Sequence, residues 1–169
     1  MHPLPYNAAL LVIDVQEGFD EPAWGGGRNN PEMEANIARL QCAWRASGRV
    51  LIHVRHDSRW PGSPLHPSRP GNAIKSVVEP LAGEPVIGKS VSSAFIGTGL
   101  EVMLRQCGVS TVIVTGLETG HCVSTTARMA ANLGSRRTSS PMPPRRSTGS
   151  DPTAGAIARS TSTRWRWPS

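Results

Sequence analysis

The sequence predicts an α/β fold in which a parallel sheet is covered by helices on both faces. Three runs of branched apolar residues have the length of a strand and lack polar alternation, which is typical of strands buried on both faces. Helical patterns that end at glycine lie between these runs. Strands that alternate with helices form a parallel sheet, because each helix carries the chain back over one face.

Four segments are the candidate strands. The first is Ala8–Val15, with the sequence AALLVIDV, and both Val50–His56 (VLIHVRH) and Ser110–Gly116 (STVIVTG) have the same character. Glu84–Lys89 (EPVIGK) is a shorter fourth candidate. The proline-rich segment Arg55–Asn72 follows the second strand, and loops at the carboxyl ends of parallel strands form ligand crevices. We therefore expect this loop to be a pocket wall.

Three helices are predicted between and after these strands. The first pattern runs from Asn30 to Gly48, with Asn30 as the N-cap and Pro31 at the first helical position. The second is Gly99–Gly108 and the third is Cys122–Gly134, and both end at a glycine. Their order along the chain completes the alternation of strands and helices.

The length of 169 residues fits one domain. Cys42, Cys107 and Cys122 are too widely spaced for a disulfide framework or a zinc ligand pair, so reduced thiols are expected. The chain has no apolar run of membrane-spanning length and no pattern of a signal peptide at its start. We expect a cytoplasmic protein with no membrane partner.

The net charge of +6 comes entirely from the end of the chain. Residues 1–134 contain 11 Lys and Arg against 11 Asp and Glu, whereas residues 135–169 contain 7 against 1. A nucleic-acid-binding role would have to rest on this basic tail, with Trp165 and Trp167 as stacking residues. Because the rest of the chain is neutral, no nucleic-acid partner is expected.

Three candidate catalytic residues follow predicted strands. Asp14 closes the first strand, where an acid is more often a cap or an ion-pair partner, and Lys89 closes the fourth candidate, where a lysine is usually solvated. Cys122 follows a strand and a turn and opens a helix, a position that stabilises a thiolate. A small buried hydrophobe is the alternative for Cys122, and it suits Cys42 and Cys107 better.

Together these residues resemble the motif blocks of a known superfamily. The segments ALLVIDVQEGF, VIGKSVSSAF with GTGLEVMLRQCGV, and TVIVTGLETGHCVSTTARMAANLG are similar to the three blocks of the isochorismatase-like cysteine hydrolases, which include nicotinamidases and N-carbamoylsarcosine amidohydrolase. The resemblance runs from about Ala8 to Gly134. It implies a three-layer α/β/α sandwich with a parallel, Rossmann-like sheet and a catalytic triad of Asp14, Lys89 and Cys122.

The resemblance also implies a mechanism. Asp14 would take the thiol proton, Lys89 would lower the cysteine pKa, and the Cys122 thiolate would attack a carbonyl carbon to form a thioester. Backbone N–H groups of Glu118 and Cys122 would hold the oxyanion, with a cis peptide between Leu117 and Glu118. A cysteine at this position favours C–N hydrolysis of a small amide, carbamoyl or ureido compound over isochorismatase-type cleavage of a vinyl ether.

Six further residues are candidates for binding the small-molecule substrate. They are aromatic or histidine side chains in the loops or beside the nucleophile: Phe19, Trp24, His56, Trp60, Phe95 and His121. Each of the aromatic residues could equally belong to the core or to a subunit interface. By resemblance, a homo-oligomer, either dimer or tetramer, is expected.

No cofactor and no metal are expected, although a divalent metal such as zinc is an alternative. His53, His56, Asp57 and His66 lie close together in sequence, and nicotinamidases bind a metal through an Asp and His residues in the comparable loop. The nicotinamidase pattern places Asp before the first His, and HVRHDS does not reproduce it. A metal-assisted nicotinamidase, an isochorismatase-type hydrolase and a catalytically silent binding homologue remain the alternative functions.

The tail from Ser135 to Ser169 is predicted to be a frameshift product. It would replace the last strand and helix of the hydrolase domain, of which residues 1–134 form the rest. Its 35 residues include 8 Ser, 7 Arg, 5 Thr and 5 Pro, which GC-rich DNA gives when it is read out of frame. In the shifted frame Met142 and Pro143 force an alanine codon, and Pro141 with Met142 permits aspartate. An Asp-Ala pair then stands where the superfamily has one. If the printed tail is real, we expect the sheet to lack its last strand.

Overall fold

Four parallel strands form the centre of the computed structural model, which describes residues 4–21, 30–117, 119–134, 136–137 and 163–166. They are β1 (Ala8–Ile13), β2 (Leu51–His56), β3 (Val86–Lys89) and β4 (Thr111–Gly116). Their order in the sheet is β3-β2-β1-β4. The predicted strands are confirmed, with ends trimmed by one or two residues.

Three helices connect these strands, and each falls within a predicted pattern. They are α1 (Met33–Ala46), α2 (Leu100–Gln106) and α3 (Ser124–Asn132). The predicted start of α1 at Asn30 is wrong, since Glu32 is the residue that precedes its first turn. The Asn30 side chain instead accepts a hydrogen bond from the Glu32 N–H at 3.2 Å, which forms a local turn before the helix.

The tail adds two short antiparallel strands to the sheet. They are β5 (Arg136–Arg137) and β6 (Thr163–Arg166), and the full order is β3-β2-β1-β4-β6-β5. A short segment of the printed tail therefore lies beside β4, antiparallel to the four central strands, and the frameshift stays a prediction. An open strand edge offers backbone donors and acceptors to extended chain of any sequence, and β6 pairs with β4 in this way.

Apolar side chains cover both faces of β1, which makes the fold three-layered. On one face Leu10 and Val12 pack with Ile37 and Trp44 of α1 in a buried cluster. On the other face Leu11 and Ile13 pack against leucines and alanines of the other two helices: Leu100, Leu104, Ala127 and Ala130. Each large side chain buried here contributes about 1.5–3 kcal/mol. The predicted α/β/α sandwich is confirmed.

One local feature allows the ends of β1 and β4 to lie close together. Gly116 ends β4, and a side chain at this position would collide with the backbone carbonyl of Ile13. A glycine is therefore required where the two strands meet. Among the helices that the structure describes, none is long and apolar enough to cross a membrane.

Candidate active site

Asp14 lies directly after β1 in a strained backbone conformation. Its φ of 53° is the one positive φ of a non-glycine residue in the described part of the chain. Its backbone N–H donates to the Val54 carbonyl at 2.8 Å, which holds the residue at the carboxyl edge of the sheet. Such a conformation costs about 1–3 kcal/mol and is concentrated at functional sites. The carboxylate is fully buried.

Lys89 ends β3 and brings three polar side chains to one point. Its Nζ donates to Asp14 Oδ2 at 2.7 Å, to His56 Nδ1 at 3.1 Å and to Cys122 Sγ at 3.3 Å. An ammonium group has three protons, so all of its donors have an acceptor. Because β2 lies between β1 and β3, the lysine side chain reaches across the end of β2 to Asp14.

Cys122 lies in a π-helical turn, Thr119–Val123, which precedes α3. The prediction that Cys122 opens the α-helix is corrected, because the first α-helical residue is Ser124. Single π turns are frequent at functional sites, since they widen the local helix and redirect a side chain. The Cys122 side chain is buried and faces the Lys89 ammonium.

The thiol of Cys122 favours its protonated form at rest. Its pKa is raised to about 12, first by burial and then by the neighbouring Asp14 carboxylate, while the Lys89 ammonium acts in the opposite direction. Lys89 lowers the pKa of Cys122, as the resemblance implies, but burial and Asp14 raise it by more. Two causes that disfavour the thiolate outweigh the single cation. Asp14 Oδ1 is buried and has no hydrogen-bond partner in the described ranges, so it is available to accept the thiol proton.

His56 is held as a neutral imidazole beside the ammonium. Burial and the charge of Lys89 both lower the pKa of His56. Its Nδ1 accepts a hydrogen bond from the Lys89 ammonium, so the ring proton is assigned to Nε2. The ring contributes no second positive charge, and the cluster carries one cation and one carboxylate.

Sequence reasoning missed the residues that position His56. The fully buried Gln16 side chain accepts from the His56 N–H at 2.8 Å and donates to its carbonyl at 3.0 Å. Asn72 donates to the same carbonyl at 3.1 Å. The one available signal was a polar residue, Gln16, in the short segment that follows the apolar strand β1.

The remaining predicted substrate residues occupy different environments. Phe95 packs into the core beside Ala94 and Leu100, whereas Trp60 is 69% exposed. His121 and Phe19 lie within the described ranges, and His121 is exposed. Trp24 and Glu118 lie outside the described residues, as does the peptide bond between Leu117 and Glu118.

The loop residues that form the alternative metal site have different partners. His53 is buried in the sheet with its Nε2 3.0 Å from Glu84, which also pairs with Arg45 at 2.7 Å. His66 contacts Ser68. Within the described ranges, the set whose donor atoms do lie within 4.8 Å of one another is Asp14, His56 and Cys122. The Lys89 ammonium donates a hydrogen bond to each member of that set, so it is the positive charge at their centre.

Comparison with known proteins gives a consistent match. Residues 8–138 match the family model described as the isochorismatase domain. The chain is 48% identical over 126 residues to the isochorismatase family protein YrdC of Bacillus subtilis, which covers 75% of this chain and 67% of YrdC. A crystal structure of a hydrolase of the isochorismatase family from Chromobacterium violaceum has a TM-score of 0.75 and 48% identity, covering 79% of this chain and 69% of that one.

The names of three less similar proteins state an activity. Streptothricin hydrolase of Streptomyces noursei is 35% identical over 131 residues, covering 76% of this chain and 46% of that protein. Maleamate amidohydrolase of Pseudomonas putida is 29% identical over 145 residues, with coverages of 76% and 67%. N-carbamoylsarcosine amidase of Thermoplasma acidophilum has 27% identity and a TM-score of 0.62, with coverages of 73% and 75%. This chain therefore covers from 46% to 75% of the length of these three proteins.

Proposed function

The chain belongs to the isochorismatase family, and from this premise we propose that it is a cysteine-dependent hydrolase of small amide, carbamoyl or ureido compounds. The observation that carries the proposal is the buried contact of one ammonium, Lys89, with both a carboxylate and a thiol, Asp14 and Cys122. The names of the maleamate and N-carbamoylsarcosine relatives support a C–N bond as the target.

The first chemical step in this proposal forms a tetrahedral adduct between Cys122 and the substrate carbonyl. Asp14 accepts the Cys122 proton, and the resulting thiolate attacks the substrate carbonyl carbon. Lys89 contacts both Cys122 Sγ, which loses the proton, and Asp14, which gains it. Its positive charge therefore stabilises the negative charge that develops on sulfur.

Collapse of this adduct releases the amine and leaves the thioester, which water then hydrolyses to restore the thiol. Protonated Asp14 gives its proton to the leaving nitrogen, which departs as ammonia or an amine. The ionised Asp14 then accepts a proton from water, the hydroxide attacks the thioester carbonyl, and the proton returns to sulfur. Backbone N–H groups near Cys122 would hold the oxyanion in both halves.

Ammonia release from a panel of small amides, N-carbamoyl compounds and ureides tests this function. Cys122→Ser is expected to abolish release, since a serine hydroxyl beside the same groups is a far weaker nucleophile. Cys107→Ser is the matched control because Cys107 is an exposed free thiol, and this variant should keep full activity. Equal activity of Cys122→Ser and wild type would refute the cysteine mechanism.

Three further properties complete the proposal. We propose a homo-oligomer, dimer or tetramer, which acts on a small molecule in the cytoplasm without a cofactor. Residues 135–169 are proposed to replace the natural end of the domain through a frameshift. Sedimentation velocity measures the first property, and a purely monomeric particle would contradict it. Dependence of ammonia release on added zinc after chelation would contradict the absence of a cofactor.

A further inference from the structure

Lysine occurs only twice in this chain, and both lysines are buried. Lys89 belongs to the candidate site, whereas Lys75 is 6% exposed and lies in the loop between β2 and β3. Lysine side chains are almost never fully buried unless the ammonium is paired, because an unpaired charge is costly to remove from water. The proposed chemistry does not use the Lys75 ammonium, so its burial has another physical reason.

The Lys75 ammonium joins two parts of the chain. Its Nζ donates to both carboxylate oxygens of Asp20, at 2.7 and 2.6 Å, and to Glu34 Oε1 at 3.0 Å. Asp20 ends the short helical turn that follows β1, and Glu34 lies in the first turn of α1. Lys75 therefore ties the segment after Asp14 to the start of α1.

A backbone ladder runs beside this ion cluster. The Lys75 N–H donates to the Val15 carbonyl at 2.9 Å, and the neighbouring residues Gln16 and Ile74 form an antiparallel bridge. Val15 directly follows Asp14, whose positive φ persists only where surrounding contacts hold it. The ladder thus fixes the direction in which the chain leaves the proposed base.

The two segments of the ladder touch backbone to backbone. A Cβ on Gly18 would lie 2.9 Å from the Gly71 carbonyl oxygen, and a Cβ on Gly71 would lie 2.8 Å from Gly18 Cα. No side chain separates the segments at this point, so a shift of one segment moves the other. Gln16, in the same ladder, holds the backbone of His56. The ladder therefore positions two members of the site, Asp14 and His56.

Loss of the positive charge at Lys75 would disturb this arrangement. The Glu34 side chain is 13% exposed, so its carboxylate would lose the ammonium that balances a buried charge. Removing one member of a buried ion pair is strongly destabilising for this reason. The carboxylate of half-exposed Asp20 would also repel that of Glu34, and moving away relieves the repulsion. Because the segment that carries Asp20 begins beside Asp14, its movement would displace the proposed base.

We propose that Lys75 is a positioning residue that holds Asp14 against the Cys122 thiol. It acts through residues 15–20 and the ladder beside them, and not on the reacting atoms. This inference rests on the proposed hydrolase function and adds a residue outside the triad.

Steady-state ammonia release by a Lys75→Met variant tests the proposal on the best substrate of the amide panel. Both kcat and kcat/KM should fall by about 10- to 100-fold with KM little changed, because a displacement of about 1 Å in a catalytic group costs this much. The matched control is Arg45→Met, which removes a cation from a partly buried pair with Glu84 at the other end of α1. Arg45→Met should lower the melting temperature but keep the wild-type kcat.

Alkylation of Cys122 by iodoacetamide, measured relative to Cys107, gives a second readout that needs no substrate. Asp14 disfavours the thiolate, so this ratio should rise in Lys75→Met and stay at the wild-type value in Arg45→Met. If wild type hydrolyses no compound of the panel, the ratio alone decides the inference. If Lys75→Met does not fold, Asp20→Asn replaces it, since Asp20 is half-exposed and its loss should have the same, smaller effects.

A wild-type kcat or an unchanged alkylation ratio in the folded Lys75 variant would overturn the positioning role. An equal loss of kcat in Arg45→Met would also overturn it, because the effect would then follow stability and not the position of Asp14. Activity retained by Cys122→Ser refutes the cysteine mechanism instead, so the two failures are distinguishable.

Discussion

Replacing Asp14 with Asn should have opposite effects on the reactivity of Cys122 and on catalysis. The pKa of about 12 leaves roughly 10⁻⁴ of Cys122 as thiolate at pH 8. An exposed thiol of ordinary pKa is about one quarter thiolate at the same pH. Iodoacetamide should therefore alkylate Cys122 far more slowly than an exposed thiol, with Cys107 as the internal reference.

The Asn variant removes the charge that raises the cysteine pKa and keeps the size of the side chain. Burial is unchanged and the Lys89 cation remains, so the pKa of Cys122 should fall. Alkylation of Cys122 should then be faster than in wild type. Ammonia release should fall by about 10²- to 10⁴-fold, because the proton acceptor has been lost.

Peptide mass spectrometry of samples quenched over time measures all three cysteines in one experiment. Cys107 corrects each rate for reagent and pH, and a Lys89→Met variant should show the reverse effect, slower alkylation of Cys122 than in wild type. If Asp14→Asn leaves the ratio of Cys122 to Cys107 alkylation unchanged, the carboxylate does not control the thiol. The assignment of Asp14 as the base would then fail.

Three other predictions concern stability, positioning and the tail. The pKa of Glu84 is lowered to about 2, first by its hydrogen bond with Arg45, so its stabilisation is present above about pH 4.5 and is lost as the pH falls towards 2. Thermal melts should show a loss of about 2 kcal/mol over this range that Glu84→Gln lacks. Gln16→Leu should lower the free energy of unfolding by about 2–4 kcal/mol and reduce ammonia release, because the backbone of His56 loses its buried partners; an unchanged melt would contradict this. Sequencing the source DNA around the Gly134 codon should reveal a missing base, and an unbroken reading frame would refute the frameshift.

The strands were predictable because their signal is local. Ala8–Ile13 is buried at every position, and a continuous apolar run is what a strand covered on both faces requires. The end of a helix is less well determined by the sequence. Asn30 and Glu32 form a hydrogen-bonded turn, and α1 begins two residues later than predicted. Pairing of the tail with β4 depends on a free edge rather than on a sequence pattern, so periodicity could not have indicated it.

The sequence by itself determined the order of the elements and placed Asp14 and Lys89 at the carboxyl ends of strands, because apolar runs and their polar ends are local properties. Only the tertiary structure decided that these residues, 75 positions apart, meet across the end of β2 with Cys122 and His56 on the same ammonium. It also decided the direction of the cysteine pKa shift. Burial and distances of about 3 Å between charges set that direction, and both arise only when the sheet assembles.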